Sequence, residues 1–177
     1  MTDDSASSAL TEREPSSFAS TVVGIAGTVQ DRRSGGAMSR GDRAELRRMR
    51  AGTAFPPEPF WALVERFAIP PPGEPFWIDV VPLMVDYPHD ASRRPGRALA
   101  ESRVSGARIE RWLRLEPDRA RREAGRLLAR LDGGLNWVSF AGLLRFWNSQ
   151  DRRGFARDFF LSPAYREREK LLSAQET

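Results

Sequence analysis

The chain has 177 residues, enough for one domain or for one domain made of two small helical lobes, and 40% of them are apolar, with five Trp and ten Phe to fill a core. There is no Cys and only one His, His89, which excludes disulfides, thiol catalysis, Cys-based zinc sites, multi-His metal sites and His-based triads. The net charge is only +4, yet 27 of the 28 basic residues are Arg, with Lys170 the exception.

Residues 1–16, rich in Ser, Thr and acids, read as a disordered tail, residues 17–165 as a helical domain and residues 166–177 as a charged C-terminal end. The tail lacks a basic-then-apolar leader, and no apolar run approaches the ~20 residues that span a membrane, so a cytoplasmic protein is expected. Phe18 to about Val29 predicts a helix weakened by Gly24 and Gly27, and Ser34-Gly35-Gly36 predicts a flexible joint. Ser39, with Asp42 three residues on, has capping-box spacing for a helix Arg40–Arg50 that Gly52 stops.

After Pro56, Pro57 and Pro59, the spacing of Phe60, Trp61, Val64 and Phe67 predicts a core helix over Pro59–Ala68, ended by Ile69-Pro70-Pro71-Pro72-Gly73. Phe76–Tyr87 predicts a helix interrupted near Pro82, followed by a loop over Pro88–Pro95 in which His89 is a surface residue. Gly96–Leu115 reads as one long helix, and Pro117 opens another that runs to about Asp132, with Gly133 and Gly134 at its end. Helices over Asn136–Trp147 and Ser149–Leu161 follow, and Pro163 starts a charged last helix. No strand alternation or hairpin turn is present. The fold class is all-α, a bundle of about seven to nine helices in one or two lobes.

The modest net charge hides a strong asymmetry. Residues 32–50 carry +5 and residues 91–157 carry +9, while residues 1–31, 51–90 and 158–177 carry −4, −5 and −1. A GC-rich genome would account for a preference for Arg over Lys, but not for two basic blocks set between acidic segments. Such blocks point to a polyanion. On a single wheel for Gly96–Leu115, Arg97, Arg103, Arg108, Arg111 and Arg114 fall within an arc of about 140°. Leu99, Ile109, Trp112 and Leu113 lie opposite, whereas Val104 and Leu115 break the pattern. Arg119, Arg122, Arg126 and Arg130 make a second stripe, and Arg40, Arg43, Arg47 and Arg50 a third. Guanidinium forks grip phosphate oxygens bidentately, fixing position without reading bases. No phosphate-cradling Gly motif occurs, and acids are scarce in the basic blocks, so no catalytic residue, metal site or cofactor is assigned.

Four segments carry a family likeness: Ser39-Arg40-Gly41-Asp42-Arg43-Ala44-Glu45-Leu46-Arg47-Arg48; Gly96-Arg97-Ala98-Leu99-Ala100; Ser105-Gly106-Ala107-Arg108-Ile109-Glu110-Arg111-Trp112-Leu113; and Asn136-Trp137-Val138-Ser139-Phe140 through Trp147 to Phe155-Ala156-Arg157-Asp158-Phe159-Phe160. In that order and spacing the chain resembles the CasB family, the small subunit of the type I-E CRISPR Cascade complex, over about residues 18–162. Gly106 departs from it, standing where the family carries an acid, usually Glu, and residues 70–92 are unusually Pro-rich.

The resemblance implies an all-helical, non-catalytic subunit with no cofactor, present as two head-to-tail copies. Its implied partners are the guide-bearing backbone subunits, the large subunit, the guide RNA and the target DNA, whose R-loop it stabilises. The expected nucleic-acid contacts are Arg40, Arg43, Arg47 and Arg48 as one group, and Arg103, Arg108 and Arg111 with Arg152, Arg153 and Arg157 as the other. Competing readings are a stand-alone helical DNA-binding protein or regulator, which needs a helix-turn-helix pair not evident here, and an adaptor whose arginines meet acidic protein surfaces.

Overall fold

The structure, a computed structural model, describes residues 14–31, 37–49 and 53–175. Among these are ten α-helices: α1 Glu14–Gln30, α2 Arg40–Arg48, α3 Glu58–Arg66, α4 Glu74–Asp86, α5 Pro95–Glu101, α6 Gly106–Leu113, α7 Pro117–Leu128, α8 Trp137–Phe146, α9 Ser149–Phe160 and α10 Pro163–Gln175. A 3-10 turn, Pro71–Gly73, leads into α4, and the described residues hold no strand, only one isolated bridge between His89 and Leu135. The all-α expectation holds. The expected disorder of residues 1–16 is overtaken at residues 14–16, which begin α1, and otherwise falls outside the described residues, as do the Ser34-Gly35-Gly36 joint and the Gly52 stop.

One buried cluster draws side chains from α1 through α9, with Trp137, Phe60, Phe140 and Phe159 the largest fully enclosed. α4 is its central rod: Phe76, Trp77, Val80, Val81, Met84 and Val85 are all buried. That burial explains why the helix is not interrupted at Pro82. A helix-interior proline costs about 3 kcal/mol, whereas each large apolar side chain taken out of water returns about 1.5–3 kcal/mol.

The expected single helix Gly96–Leu115 is two helices. Arg103 takes left-handed backbone, φ 58°. Arg103 N–H donates to Ala100 O at 3.2 Å and Val104 N–H to Leu99 O at 3.1 Å, the paired bonds of a Schellman motif that ends α5. Val104, which broke the helical wheel, is fully buried as the apolar residue that follows such a cap. From α10, Arg168 donates to Ala100 O and to Val104 O, so these carbonyls at the end of α5 are also capped by a cation. α5 lies so close to α9 that a Cβ on Gly96 would sit 2.5 Å from Phe155 O and 2.9 Å from Phe159 N. At the start of α6, a Cβ on Gly106 would meet Tyr165 Oη of α10 at 2.6 Å. Glycine at 106 therefore leaves room for a ring that also packs on Phe159 and Phe160.

Two loops are stitched together beside this core. Gln30 donates to Met84 O and Tyr87 O and accepts from His89 N–H. His89 is half-buried rather than a simple surface residue: its Nδ1 accepts from the Trp137 N–H at 3.2 Å, at the start of α8. Arg93 donates to Asp132 O and Gly134 O and pairs with Glu101.

Candidate nucleic-acid interface

α2 carries the first group of arginines. Its start has the capping box anticipated from Ser39 and Asp42: Asp42 N–H donates to Ser39 Oγ at 3.1 Å, and Ser39 N–H donates to Asp42 Oδ2 at 2.7 Å. Leu46 and Met49 anchor the inner side of the helix. The four arginines then divide by role. Arg43 is half-buried, and its Nη1 donates to Asp31 O at 2.9 Å and Met38 O at 2.8 Å, tying the end of α1 to the approach to α2. Arg47 pairs with Asp86, the last residue of α4. Arg40 and Arg48 are exposed, with no acidic partner among the described residues. Arg40, Arg43 and Arg47 line an open cleft of about 690 Å³ whose far wall includes Gln30 and Asp86.

The second group is split among the turn after α5, α6 and α9. Arg103 sits in that turn, exposed, on left-handed backbone. On α6, Ile109 and Trp112 face the core while Arg108 and Arg111 face solvent without an acidic partner among the described residues; Glu110 lies 3.8 Å from Arg114 instead. The break after α5 replaces the continuous five-arginine face with separate faces on two helices.

On α9, Arg152 is half-buried, stands 5.7 Å over the Trp147 ring and donates Nη1 to Leu113 O at 3.0 Å. It pins the start of α9 to the end of α6. Arg153 is exposed and donates Nε to Ser149 O. Arg157 is exposed and takes no part in an ion pair among the described residues, because its neighbour Asp158 pairs with Arg94 at 3.1 Å. Of the ten arginines expected as contacts, eight are thus exposed, while Arg43 and Arg152 are committed to backbone carbonyls of the protein.

The α7 stripe is partly spent as well. Arg119 pairs with Glu123, and Arg130 lies beyond the helix end at Leu128. Arg121, outside the stripe, makes a nearly buried pair with Asp79 of α4 at 2.7 Å. Sequence reasoning missed Arg94, which with Arg97 and Arg157 lines a further cleft; its signal was the Arg94-Pro95-Gly96-Arg97 start of α5, which sets two arginines at the mouth of a short helix.

Against known proteins, the family model of the CRISPR-associated protein Cse2 matches residues 42–160. Among solved structures, a chain of the crystal structure of E. coli Cascade bound to a PAM-containing dsDNA target is similar at 21% identity, with a TM-score of 0.63 over 80% of this chain and 97% of that one. No curated protein sequence matches the chain.

Proposed function

The chain belongs to the Cse2 family of CRISPR-associated proteins, the small subunits of type I-E Cascade, and from that premise we propose that it acts without catalysis, gripping nucleic-acid backbone through exposed arginines so as to stabilise the R-loop. The carrying observation is Arg108 and Arg111: two guanidinium groups on the outer face of a helix anchored by Ile109 and Trp112, exposed and without acidic partners among the described residues. Arg40, Arg48, Arg103 and Arg153 extend the same property to three other elements. Sequence in such a complex is read by guide pairing, so the protein need hold only phosphates, and the exchange of duplexes is close enough to balance for a modest clamp to tip it. The E. coli neighbour of like fold, seen in Cascade bound to target DNA, supports partners of that kind: other Cascade subunits, guide RNA and target DNA. The guide-bearing backbone subunits, the large subunit and a second copy of the chain belong to the same proposal.

The test is the double variant Arg108→Glu/Arg111→Glu assembled into the complex. Co-purification with guide RNA is expected to survive, while R-loop lifetime falls by about tenfold or more and loses part of its salt dependence. Unchanged R-loop lifetime with the complex intact would refute the reading.

A further inference from the structure

We propose that the cleft where α5, α9 and α10 meet is a cradle for a single phosphodiester, built by Arg94, Arg97, Arg157 and Ser162. The cleft has a volume of about 400 Å³, and these four residues line it together with Asp158 and Leu161. Three features converge there. First, three guanidinium groups share one opening with one carboxylate, and Asp158 is occupied by Arg94 at 3.1 Å, so Arg97 and Arg157 stand exposed as an unneutralised pair. Like charges gathered in one cleft repel until an anion arrives, and planar guanidinium forks suit phosphate oxygens. Second, Ser162 is 3% exposed, and its Oγ is a buried polar atom without a hydrogen-bond partner. Such a group carries an uncompensated desolvation cost, which a χ1 rotation bringing the enclosed hydroxyl to an anionic oxygen in the cleft would relieve. Third, Ser162 immediately precedes α10, a 13-residue helix that opens on Pro163, so the Ala164 and Tyr165 N–H groups next along the chain have no intrahelical acceptor and offset the carbonyl end of α9 that also meets the cleft.

Of these residues only Arg157 is among the ten expected contacts, although Arg97 belongs to the arginine face read on Gly96–Leu115. The cradle converts Arg157 from an isolated cation into one wall of a built site. The inference rests on the backbone-binding reading above and adds to it where one phosphate is held.

The test uses the full chain and a mixed-sequence single-stranded oligonucleotide, followed by fluorescence anisotropy across a salt series. Arg97→Gln/Arg157→Gln is expected to weaken binding about tenfold. The log–log salt slope should become shallower by about 0.7, one phosphate's worth, although two charges are removed; two independent contacts would give about 1.4. Ser162→Ala should weaken binding with the slope unchanged. Asp158→Asn, which releases Arg94, should strengthen it, an outcome that misfolding cannot mimic. Wild-type binding by Arg97→Gln/Arg157→Gln, alongside loss in Arg108→Glu/Arg111→Glu, would overturn the cradle and leave the backbone-binding reading standing. Failure of the wild-type chain to bind would overturn both. Binding of inorganic phosphate that Arg97→Gln/Arg157→Gln abolishes while oligonucleotide affinity stays intact would reassign the cleft to a free anion and overturn the phosphodiester.

Discussion

At the level of single residues, the arginines of one helix do different work, and stability separates them. Arg43 donates to two carbonyls, Asp31 O and Met38 O, so Arg43→Ala removes both hydrogen bonds from the α1–α2 connection. It should cost about 1–3 kcal/mol in urea unfolding. Arg48, exposed on the same helix, should tolerate alanine within about 0.5 kcal/mol; equal costs at both positions would contradict this division. Arg103 occupies backbone that favours glycine, φ 58°, in a cap whose other parts are complete. A non-glycine residue there costs about 1–2 kcal/mol. Arg103→Gly should therefore raise the melting temperature by about 2–6 °C while weakening oligonucleotide binding, and a drop in both would mean that the side chain supports the fold rather than the ligand.

The helices themselves were largely legible in the sequence, because their signals are local. Ser39 and Asp42 start α2, and prolines sit in the first turns of α3, α4, α5 and α7. In α3 the helix was legible but its inner face only in part: of the spacing Phe60, Trp61, Val64 and Phe67, Phe60 is enclosed while Trp61 is 44% exposed, and Leu63 is the other buried anchor. What escaped was decided by tertiary contact. The end of α5 is held by the Schellman bonds at Arg103 and by Arg168 reaching back from α10, and no neighbouring residue announces either. Val104 was a local clue, an apolar side chain on a basic face, as was Leu115 beyond the end of α6. Committed arginines are invisible for the same reason: Arg152 differs from Arg153 in the ring of Trp147 beneath it and in the distant Leu113 carbonyl it reaches. The pair Arg121–Asp79 belongs to this scale, since it joins α7 to α4 with side chains only 17% and 7% exposed. Asp79→Ala leaves Arg121 with only the exposed Asp118, 3.0 Å from its Nη2, so the loss should be about 1–3 kcal/mol, below that of a wholly stranded buried charge. Chemical denaturation of Asp79→Ala and Asp79→Asn checks it, with Asn, which keeps an acceptor, expected to lose less.

Over the whole molecule, the acidic segment 51–90 is partly an internal supplier of counter-charge. Its Asp79 and Asp86 leave their own stretch of sequence to meet Arg121 and Arg47. The fold thereby consumes arginines that hold helices together and leaves Arg40, Arg48, Arg108, Arg111 and Arg157 uncompensated at the surface. Net charge understates such a surface, because neutralisation is spent inside the protein rather than spread over it.

The meeting of Gly106 with Tyr165 ties α6 to α10 across a long stretch of chain. Tyr165 lies beyond residues 42–160, the stretch that matches the family, and its hydroxyl occupies the space that a Cβ at 106 would enter. A larger residue at 106 must push the far end of that ring aside, so the two positions share one small volume. Gly106→Ala should therefore cost less in a Tyr165→Ala background than alone, a coupling that a double-mutant cycle reads directly.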